Sequence, residues 1–155
     1  MSLIGAREVA ATTLRIPHPY TEQDGAQFIA STRAGTEVRL AITLRADDSL
    51  CGGIGLAVEA EHSRAELGYW IGVPYWRNGF ATEASAAMLR YGFEQLQLNR
   101  IFATHFKQNP ASGRVLRKLG MQREGCMRQH VRKWGQFVDL ELYSILREDW
   151  TRQVK

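Results

Sequence analysis

The spacing of apolar and polar residues predicts short strands and amphipathic helices that follow one another closely along the chain. Alternation with a period of two indicates a strand, whereas apolar residues three and four positions apart indicate a helix. The pattern predicts helices over residues 22–33, 80–96 and 110–119 and strands over residues 38–44, 50–59, 65–73, 100–106, 121–132 and 137–146. The first three strands are expected to form an antiparallel meander. The fourth lies parallel to the third if the helix between them makes the usual right-handed crossover.

Residues at the ends of the predicted helices support these bounds. Thr21 and Asp24 form a capping-box pattern before the first helix, and Gly35 ends it. Asn109 is a typical N-cap residue, with Pro110 at the first helical position after it. The apolar residues expected to face the core are Val38, Leu40, Ile42 and Leu44 on the first strand and Ala81, Ala84, Met88, Leu89, Tyr91, Phe93 and Leu96 on the helix over 80–96.

The stretch over 66–84, E-L-G-Y-W-I-G-V-P-Y-W-R-N-G-F-A-T-E-A, contains the strongest candidate for a binding site. It predicts a buried strand, a break at Pro74, a turn at Asn78 and Gly79, and a helix that opens near Phe80. The first N–H groups of a helix have no partner within it, and the helix dipole favours an anion there. Gly79 lets the backbone approach an anion without a Cβ in the way. Such a turn also occurs for purely structural reasons, so the pattern alone leaves both interpretations open.

Three sequence blocks together resemble the GNAT N-acetyltransferases, in particular the RimJ/RimL branch. They are E-L-G-Y-W-I-G, then W-R-N-G-F-A-T-E-A, then N-P-A-S-G-R-V-L-R-K-L-G-M over 109–121, and they stand in the family's order. The resemblance extends over about residues 16–150. It implies an α/β fold of the α+β type, the GNAT fold, with a mixed, mostly antiparallel sheet flanked by helices and a splayed pair of parallel strands. It also implies acetyl-CoA as co-substrate and no metal.

The resemblance further implies which residues hold acetyl-CoA. Residues 76–81 match the segment that wraps the diphosphate, residues 69–73 match the strand edge that pairs with pantetheine, and Asn109 matches a residue that bonds it. The implied binding residues are Tyr69, Trp70, Ile71, Gly72, Val73, Trp76, Arg77, Asn78, Gly79, Phe80, Ala81, Thr82 and Asn109. Gly68 and Gly72 fit a bulge or a close approach in that strand. Arg77 could equally be a solvated surface arginine.

Two residues are candidates for the reaction, in which a neutral amine attacks the thioester and a thiolate leaves. Ser112, in N-P-A-S, matches a family position whose hydroxyl could protonate the thiolate. Alternatively, it bonds only its own backbone in the first helical turn. Glu66 matches the position of a carboxylate that deprotonates the amine through water, and a surface glutamate without a role is the alternative. His105 is expected to be a core histidine rather than a base.

Composition narrows the range of partners. The 155 residues, 45% of them hydrophobic, suit one globular domain over 1–155. A net charge of +4 favours an anionic ligand without indicating nucleic acid. Cys51 and Cys126 are too few for a disulfide framework or a metal cluster. No apolar run is long enough to span a membrane and no secretory pattern opens the chain, so a cytoplasmic location is expected.

Two departures from the family leave the acceptor and the base open. Relatives usually have a strand and a helix before the I-P-x-P-Y segment, and residues 1–15 leave room for neither, so the sequence is either truncated or obtains that strand by other means. Ribosomal-protein acetyltransferases often carry a carboxylate soon after the match to Glu124-Gly125, and Gln129-His130-Val131 supplies none. The expected acceptor is the N-terminal α-amine of a protein or peptide. A small-molecule amine, or a non-catalytic acyl-CoA-binding module, is the alternative, and a homodimer is one candidate assembly.

Overall fold

The computed structural model describes residues 3–34 and 37–154 as a single six-stranded sheet flanked by helices. The strands are β1 (Glu37–Thr43), β2 (Leu50–Glu59), β3 (Arg64–Ile71), β4 (Arg100–Phe106), β5 (Gln122–Lys133) and β6 (Gln136–Leu146). The helices are α1 (Arg7–Thr12), α2 (Glu22–Ala34), α3 (Phe80–Glu94), α4 (Pro110–Lys118) and α5 (Arg147–Gln153). The strand order is β1-β2-β3-β4-β6-β5, and only β3 and β4 are parallel. The predicted mixed, mostly antiparallel sheet is therefore confirmed.

The predicted helix caps are present where the structure describes them. The main-chain N–H of Asp24 donates to the Thr21 hydroxyl at 3.2 Å, and the Thr21 N–H donates to the Asp24 carboxylate at 2.7 Å, which is a reciprocal capping box. Asn109 caps α4 by accepting the N–H of Ser112 at 3.4 Å, with Pro110 after it. Gly35, predicted to end α2, lies outside the described residues.

The main core lies between one face of the sheet and helices α3 and α4. It includes Leu56 and Leu67 from the sheet and Met88, Leu89 and Phe93 from α3. Two predicted core residues are exposed: Tyr91 by 40% and Leu40 by 57%. The correction has two causes. Ser85 and Gly92 take part in the buried face of α3, which turns Tyr91 outward, and α3 packs over β2 and β3 rather than over β1, where Leu40 lies.

Other elements differ from the sequence prediction. A six-residue helix, α1, forms before residue 16, and no strand precedes β1 in the described range 3–34. The predicted strand over 65–73 ends at Ile71, because Val73–Tyr75 form a 3₁₀ turn around Pro74, which has no N–H to donate to a neighbouring strand. Helix α5 was not predicted, and its Trp150 stacks on Phe93 with 5.3 Å between ring centroids.

The parallel pair β3 and β4 is joined over only part of its length. The register runs from Arg64 opposite Arg100 to Glu66 opposite Phe102, yet β3 continues to Ile71 and β4 to Phe106. The two strands therefore diverge after Glu66 and leave a cleft between them. This is the splayed parallel pair that the family resemblance implies, and it positions the candidate site.

Candidate active site

The turn before α3 has free backbone donors and open space at its glycine. Gly79 has φ +81°, and an added Cβ would meet no atom within 4 Å. The first helical bond runs from Glu83 N–H to Gly79 C=O at 3.0 Å, so the N–H groups of 79–82 have no acceptor within the helix. An anion at this helix start would meet those groups and the positive end of the helix dipole. The predicted diphosphate segment thus has the geometry that a phosphate needs.

Side chains of the same turn brace the loop. The Asn78 side-chain amide donates to the Trp76 carbonyl at 3.1 Å, and the Trp76 indole N–H donates to the Ile71 carbonyl at 2.7 Å. Arg77 has φ +64°, a left-handed conformation that is uncommon outside glycine. The rings of Phe80 and Tyr75 lie 6.3 Å apart beneath the turn. These contacts hold the turn in the shape that exposes its N–H groups.

Register with β2 decides which groups of β3 face the cleft. The Gly72 N–H donates to the Cys51 carbonyl at 2.8 Å, so Gly72 and, by alternation, Trp70 direct their backbone groups towards β2. Tyr69 and Ile71 direct theirs towards the cleft, although the Ile71 carbonyl already accepts the Trp76 indole. Of the predicted strand-edge residues, Tyr69 and Ile71 are therefore at the open edge, Trp70 and Gly72 are turned away, and Val73 begins the 3₁₀ turn.

The predicted bulge at Gly68 is absent. The register between β2 and β3 is continuous from Gly52–Ile71 to Glu59–Arg64, so of the two alternatives expected for Gly68 and Gly72, a bulge or a close approach, the bulge is excluded over Arg64–Ile71. An added Cβ at Gly68 would meet nothing within 4 Å, whereas one at Gly72 would lie 2.9 Å from the Leu3 side chain. Gly72 thus serves a close approach by the N-terminal segment, and Gly68 leaves space open beside the strand.

Ser112 and Tyr69 meet across the cleft. Their hydroxyl oxygens are 2.7 Å apart, which joins the first turn of α4 to β3. Burial raises the pKa of the Tyr69 hydroxyl, and the bond to Ser112 partly offsets this. His105 lies below α4 in the core, with Nδ1 2.7 Å from the Phe106 carbonyl and its ring close to Tyr143. The structure therefore brings two predicted site residues together. His105 lies beneath the same turn of α4, with Nε2 2.9 Å from where a Cβ on Gly113 would be, and this buried nitrogen has no hydrogen-bond partner among the described residues.

A pocket of about 410 Å³ lies on the opposite face of the sheet from α3. Strand alternation directs Glu66 and Phe102 to this face, because their neighbours Leu67 and Ile101 point into the core. Its apolar lining is Leu14, Phe102, Met127, Val131, Leu140 and Leu142, and its charged or basic lining is Arg15, Arg64, Glu66, Arg100 and His130. We call it the Glu66 pocket. It reaches the cleft where β3 and β4 part, since Glu66 belongs to their last parallel pair.

Glu66 is the one carboxylate in the lining, and arginines surround it. A guanidinium nitrogen of Arg15 lies 3.3 Å from a carboxylate oxygen of Glu66. The two residues are 51 positions apart in the chain. Arg100 makes a two-pronged bond to Glu124, with both N–O distances 2.6 Å, and Ser144 donates to the same carboxylate. These bonds lower the pKa of Glu124 from the usual 4.5 to about 2, with the Arg100 bond as the largest cause. Glu124 is thus an ion-pair partner that fixes Arg100.

The hairpin between β5 and β6 holds the N-terminal wall of the Glu66 pocket. The Lys133 ammonium donates to the Ile16 carbonyl at 3.1 Å, and burial lowers the pKa of Lys133. The Trp134 ring lies 5.3 Å from the Arg7 guanidinium and 6.3 Å from the His18 ring. These contacts join segments more than a hundred residues apart. No local sequence signal predicts them, so neither Arg15 nor this wall can be identified from the sequence alone.

His130 enters the pocket through an irregularity in β5. The register with β6 shifts between Met127 and Val131, and Gln129 has φ +48°. Asp139 of β6 stabilises the bulge by accepting the Gln129 N–H at 2.8 Å. Local sequence gives no signal for His130, because Gln129-His130-Val131 reads only as a segment without the carboxylate that relatives often carry there.

The described residues contain no group of three or more metal-ligating side chains close enough together to hold a metal ion. In residues 3–34 and 37–154, no helix has the length and apolar character needed to cross a membrane.

Comparison with known proteins identifies the family. Residues 3–122 match the family model described as acetyltransferase (GNAT) domain. The uncharacterized N-acetyltransferase YoaA of Bacillus subtilis is 43% identical over 121 residues, covering 77% of this chain and 68% of that protein. The ribosomal protein uS5-alanine N-acetyltransferase of Escherichia coli is 34% identical over 85 residues, covering 55% of this chain and 44% of that protein.

A solved structure shares the fold. The spermidine N-acetyltransferase of Vibrio cholerae, in complex with CoA and spermine, superposes with a TM-score of 0.84 at 21% identity, covering 97% of this chain and 89% of that one. The resemblance inferred from the three sequence blocks is thereby confirmed at the level of the family. The chain belongs to the GNAT family of acetyl-CoA-dependent N-acetyltransferases.

Proposed function

We propose that this protein acetylates the N-terminal α-amine of a polypeptide, by direct attack of the amine on acetyl-CoA in a ternary complex. The observation that carries the proposal is the meeting of two half-sites where β3 and β4 part. On one face are free backbone groups suited to a diphosphate and an amide-bearing arm. On the other face the Glu66 pocket, of about 410 Å³, can take an acceptor.

Acetyl-CoA supplies the activated acetyl group, and the chain's own residues bind and orient it. The N–H groups over 78–82 would hold the diphosphate, with Trp76 and Arg77 at the start of the turn. The open edge at Tyr69 and Ile71 would pair with the pantetheine amides, and the Trp76 indole would leave the Ile71 carbonyl for this purpose. The remaining residues assigned above, at 70, 72, 73 and 109, would contribute through shape and neighbouring contacts.

Two side chains would move protons. Glu66, from the Glu66 pocket, would take the proton of the acceptor ammonium through a water molecule. Ser112, at the start of α4, would give a proton to the departing thiolate. The dipole of α4 favours negative charge at that point, so it supports the leaving group as charge develops.

Acid–base arithmetic favours an α-amine over a lysine side chain. At pH 7 an α-amine with a pKa near 7.7–8.0 is roughly a tenth to a sixth neutral, whereas a lysine with a pKa near 10.4 is neutral in about one molecule in 2,500. A site whose candidate base is a single carboxylate is therefore better suited to an α-amine, because a larger fraction of that amine is already neutral. The described residues over 128–131 add no second carboxylate on the pocket side of β5.

The charge of the Glu66 pocket argues against a polyamine acceptor. Arg15, Arg64 and Arg100 line it together with a single carboxylate, Glu66. Arg64 and Arg100 already occupy Glu59 and Glu124, so Glu66 is the one lining carboxylate left for an ammonium group, and the several ammonium groups of a polyamine would not each find a partner. A polypeptide N-terminus carries one such group, which Glu66 can receive. The similarity to the E. coli uS5-alanine enzyme is consistent with this acceptor class.

The test compares two peptides of the same length that differ in the position of their one amine. One has a free N-terminus and no lysine, and the other is blocked at the N-terminus and carries one internal lysine. Thiol release from acetyl-CoA should be at least ~10-fold faster with the first peptide, because far more of its amine is neutral. Equal or faster turnover of the blocked peptide would overturn the α-amine assignment. Binding of acetyl-CoA without thiol release on either peptide or on a panel of small amines would instead identify a binding module.

A further inference from the structure

The hydroxyl groups of Tyr69 and Ser112 form an isolated pair at the cleft. Their oxygens are 2.7 Å apart, and either one can be the donor. Tyr69 comes from β3 and Ser112 from α4, 43 residues later, so no local turn requires the contact. The Tyr69 ring packs against the main core, which holds the phenol in place. The pair is thus preorganised on the α4 side of the cleft.

The alcohol of Ser112 and the thiol of coenzyme A differ greatly in acidity, and this difference makes the contact with Tyr69 chemically important. An alkyl alcohol is a far weaker acid than a thiol, whose reference pKa in cysteine is about 8.5, so a serine that gives its only proton to a thiolate becomes a strongly basic alkoxide. A phenol has a reference pKa of about 10 and is much closer to a thiol. A second proton supplied to the serine oxygen by a phenol would therefore reduce the mismatch, because a phenolate is far less basic than an alkoxide.

We propose that Tyr69 donates its proton to Ser112 as Ser112 protonates the departing thiolate. The proposal rests on the proposed role of Ser112 and extends it to a residue that acts through it. The carbon–sulfur bond breaks and its electron pair leaves with sulfur. Sulfur gains the Ser112 proton, Ser112 gains the Tyr69 proton, and the Tyr69 oxygen carries the charge until solvent returns a proton. The acceptor amine loses one proton on the opposite face, so the proton count balances.

The surroundings of the pair are consistent with this direction. Burial raises the pKa of Tyr69 and keeps the phenol protonated at rest, while the hydrogen bond with Ser112 acts in the opposite direction and favours the phenolate that donation leaves. Ser112 is in the first turn of α4, where the helix dipole stabilises the negative charge that arises on the pair. Asn109 accepts the Ser112 main-chain N–H and leaves the Ser112 hydroxyl to Tyr69.

The test uses Tyr69→Phe, which keeps the ring in the core and removes only the hydroxyl. We expect kcat to fall by roughly 10²-fold, the lower end of the range for one proton-transferring group, with the acetyl-CoA dissociation constant within about twofold. The double variant Tyr69→Phe/Ser112→Ala should be no slower than Ser112→Ala alone, because both changes break one relay. Tyr143→Phe is the matched control, since Tyr143 is a buried tyrosine whose hydroxyl accepts a hydrogen bond from the Arg117 guanidinium at 3.0 Å.

A solvent-isotope measurement separates the relay from a structural role. In mixtures of H₂O and D₂O, the rate of thiol release by the unmodified enzyme should curve with deuterium content, as expected for more than one proton in motion. For Tyr69→Phe, the rate of thiol release should instead fall linearly with the deuterium fraction. For Tyr143→Phe, it should curve as it does for the unmodified enzyme. An unchanged kcat, additive losses in the double variant, or a curve that survives in Tyr69→Phe would each overturn the relay.

The measurement does not depend on the polypeptide acceptor. The same variants can be compared with any amine that the enzyme accepts, or in the slow hydrolysis of acetyl-CoA, because the thiolate must be protonated in each reaction. The comparison of the two peptides therefore tests the α-amine assignment, whereas the kinetics of the Tyr69 and Ser112 variants test the relay.

Discussion

On the α3 side of the cleft, the candidate binding groups are backbone N–H and C=O groups from one continuous stretch, residues 69–82. On the opposite side, the Glu66 pocket is lined by side chains from separate segments that begin at Leu14 and end at Leu142. The first region depends on strand register and on one helix start. The second depends on long-range contacts such as Arg15 with Glu66 and Lys133 with Ile16.

This difference indicates how each half can change. A backbone site tolerates substitution of most side chains, because the N–H groups that bind remain, and it is lost only when the conformation changes. A side-chain pocket changes its ligand with each substitution, while the sheet beneath it is preserved. The comparison predicts that one glycine decides co-substrate binding, whereas several charged residues share the control of the acceptor.

The largest effect is expected at Gly79. Gly79→Val would force the turn out of φ +81° and misdirect the N–H groups over 79–82. Losing two or more charge-assisted bonds should weaken acetyl-CoA binding by roughly 10²-fold or more. Isothermal calorimetry measures this loss. Gly135→Val is the control, because Gly135 also has φ +80° with open space but lies in the β5–β6 turn; equal affinities of the two variants would refute the diphosphate assignment.

Ser112→Ala tests a side chain that the proposed reaction requires beside the backbone groups. We expect kcat to fall by about 10²–10⁴-fold with little change in the acetyl-CoA KM, because the hydroxyl acts on the thiolate in the transition state. Ser85→Ala is the control, since it removes a buried hydroxyl that has no hydrogen-bond partner among the described residues. A change confined to KM would make Ser112 a binding residue.

The contrast between the halves also explains what the sequence could predict. The bounds of β2 and β4, the start of α3 and the Asn109 cap agree with the prediction, since each is set by residues adjacent in the chain. The orientation of residues 69–73 required the register with β2, because a slip of one residue reverses every backbone group. The sequence predicts the break at Pro74, but the strand before it ends at Ile71, two residues earlier than predicted.

Few of the residues that line or support the Glu66 pocket can be predicted from local sequence patterns. Arg15, Lys133 and His130 are ordinary polar residues in their local context, and only the folded chain brings them to Glu66 or its pocket wall. Glu66 itself was proposed through the family resemblance rather than through any local pattern. Helix α1 has six residues and no side-chain cap, so it lacked the signals that identify a helix.

Glu66→Gln should have a smaller effect that depends on pH. Without a base, turnover depends on the fraction of acceptor that is already neutral, so the loss should be greatest below the α-amine pKa of about 7.7–8.0 and diminish above it. The pH profile of kcat/KM with the free-N-terminus peptide measures this. Glu59→Gln is the control, because Glu59 pairs with Arg64 beside the pocket but is not in its lining. A loss that is constant from pH 6 to 9 would argue against Glu66 as the base.

The smallest expected effect concerns the stability that the Arg100–Glu124 pair gives to the acceptor side. Because the folded-state pKa of Glu124 is about 2 rather than 4.5, the pair stabilises the fold fully above about pH 4.5 and loses this contribution as the pH falls towards 2. The Glu124 side chain is 36% exposed, so solvent screening limits the gain to roughly 1 kcal/mol.

Glu124→Gln should therefore unfold more easily than the unmodified protein in urea at pH 7, and the difference should shrink between pH 4.5 and pH 2. Glu148→Gln provides the comparison, since Glu148 pairs with Arg152 on an exposed face of α5 and should alter stability little at any pH. Acetyl-CoA affinity should stay unchanged in both variants, because neither residue belongs to the backbone half. If Glu124→Gln weakened acetyl-CoA binding as well, the two halves would be coupled through β4, and the separation between a backbone site and a side-chain pocket would fail.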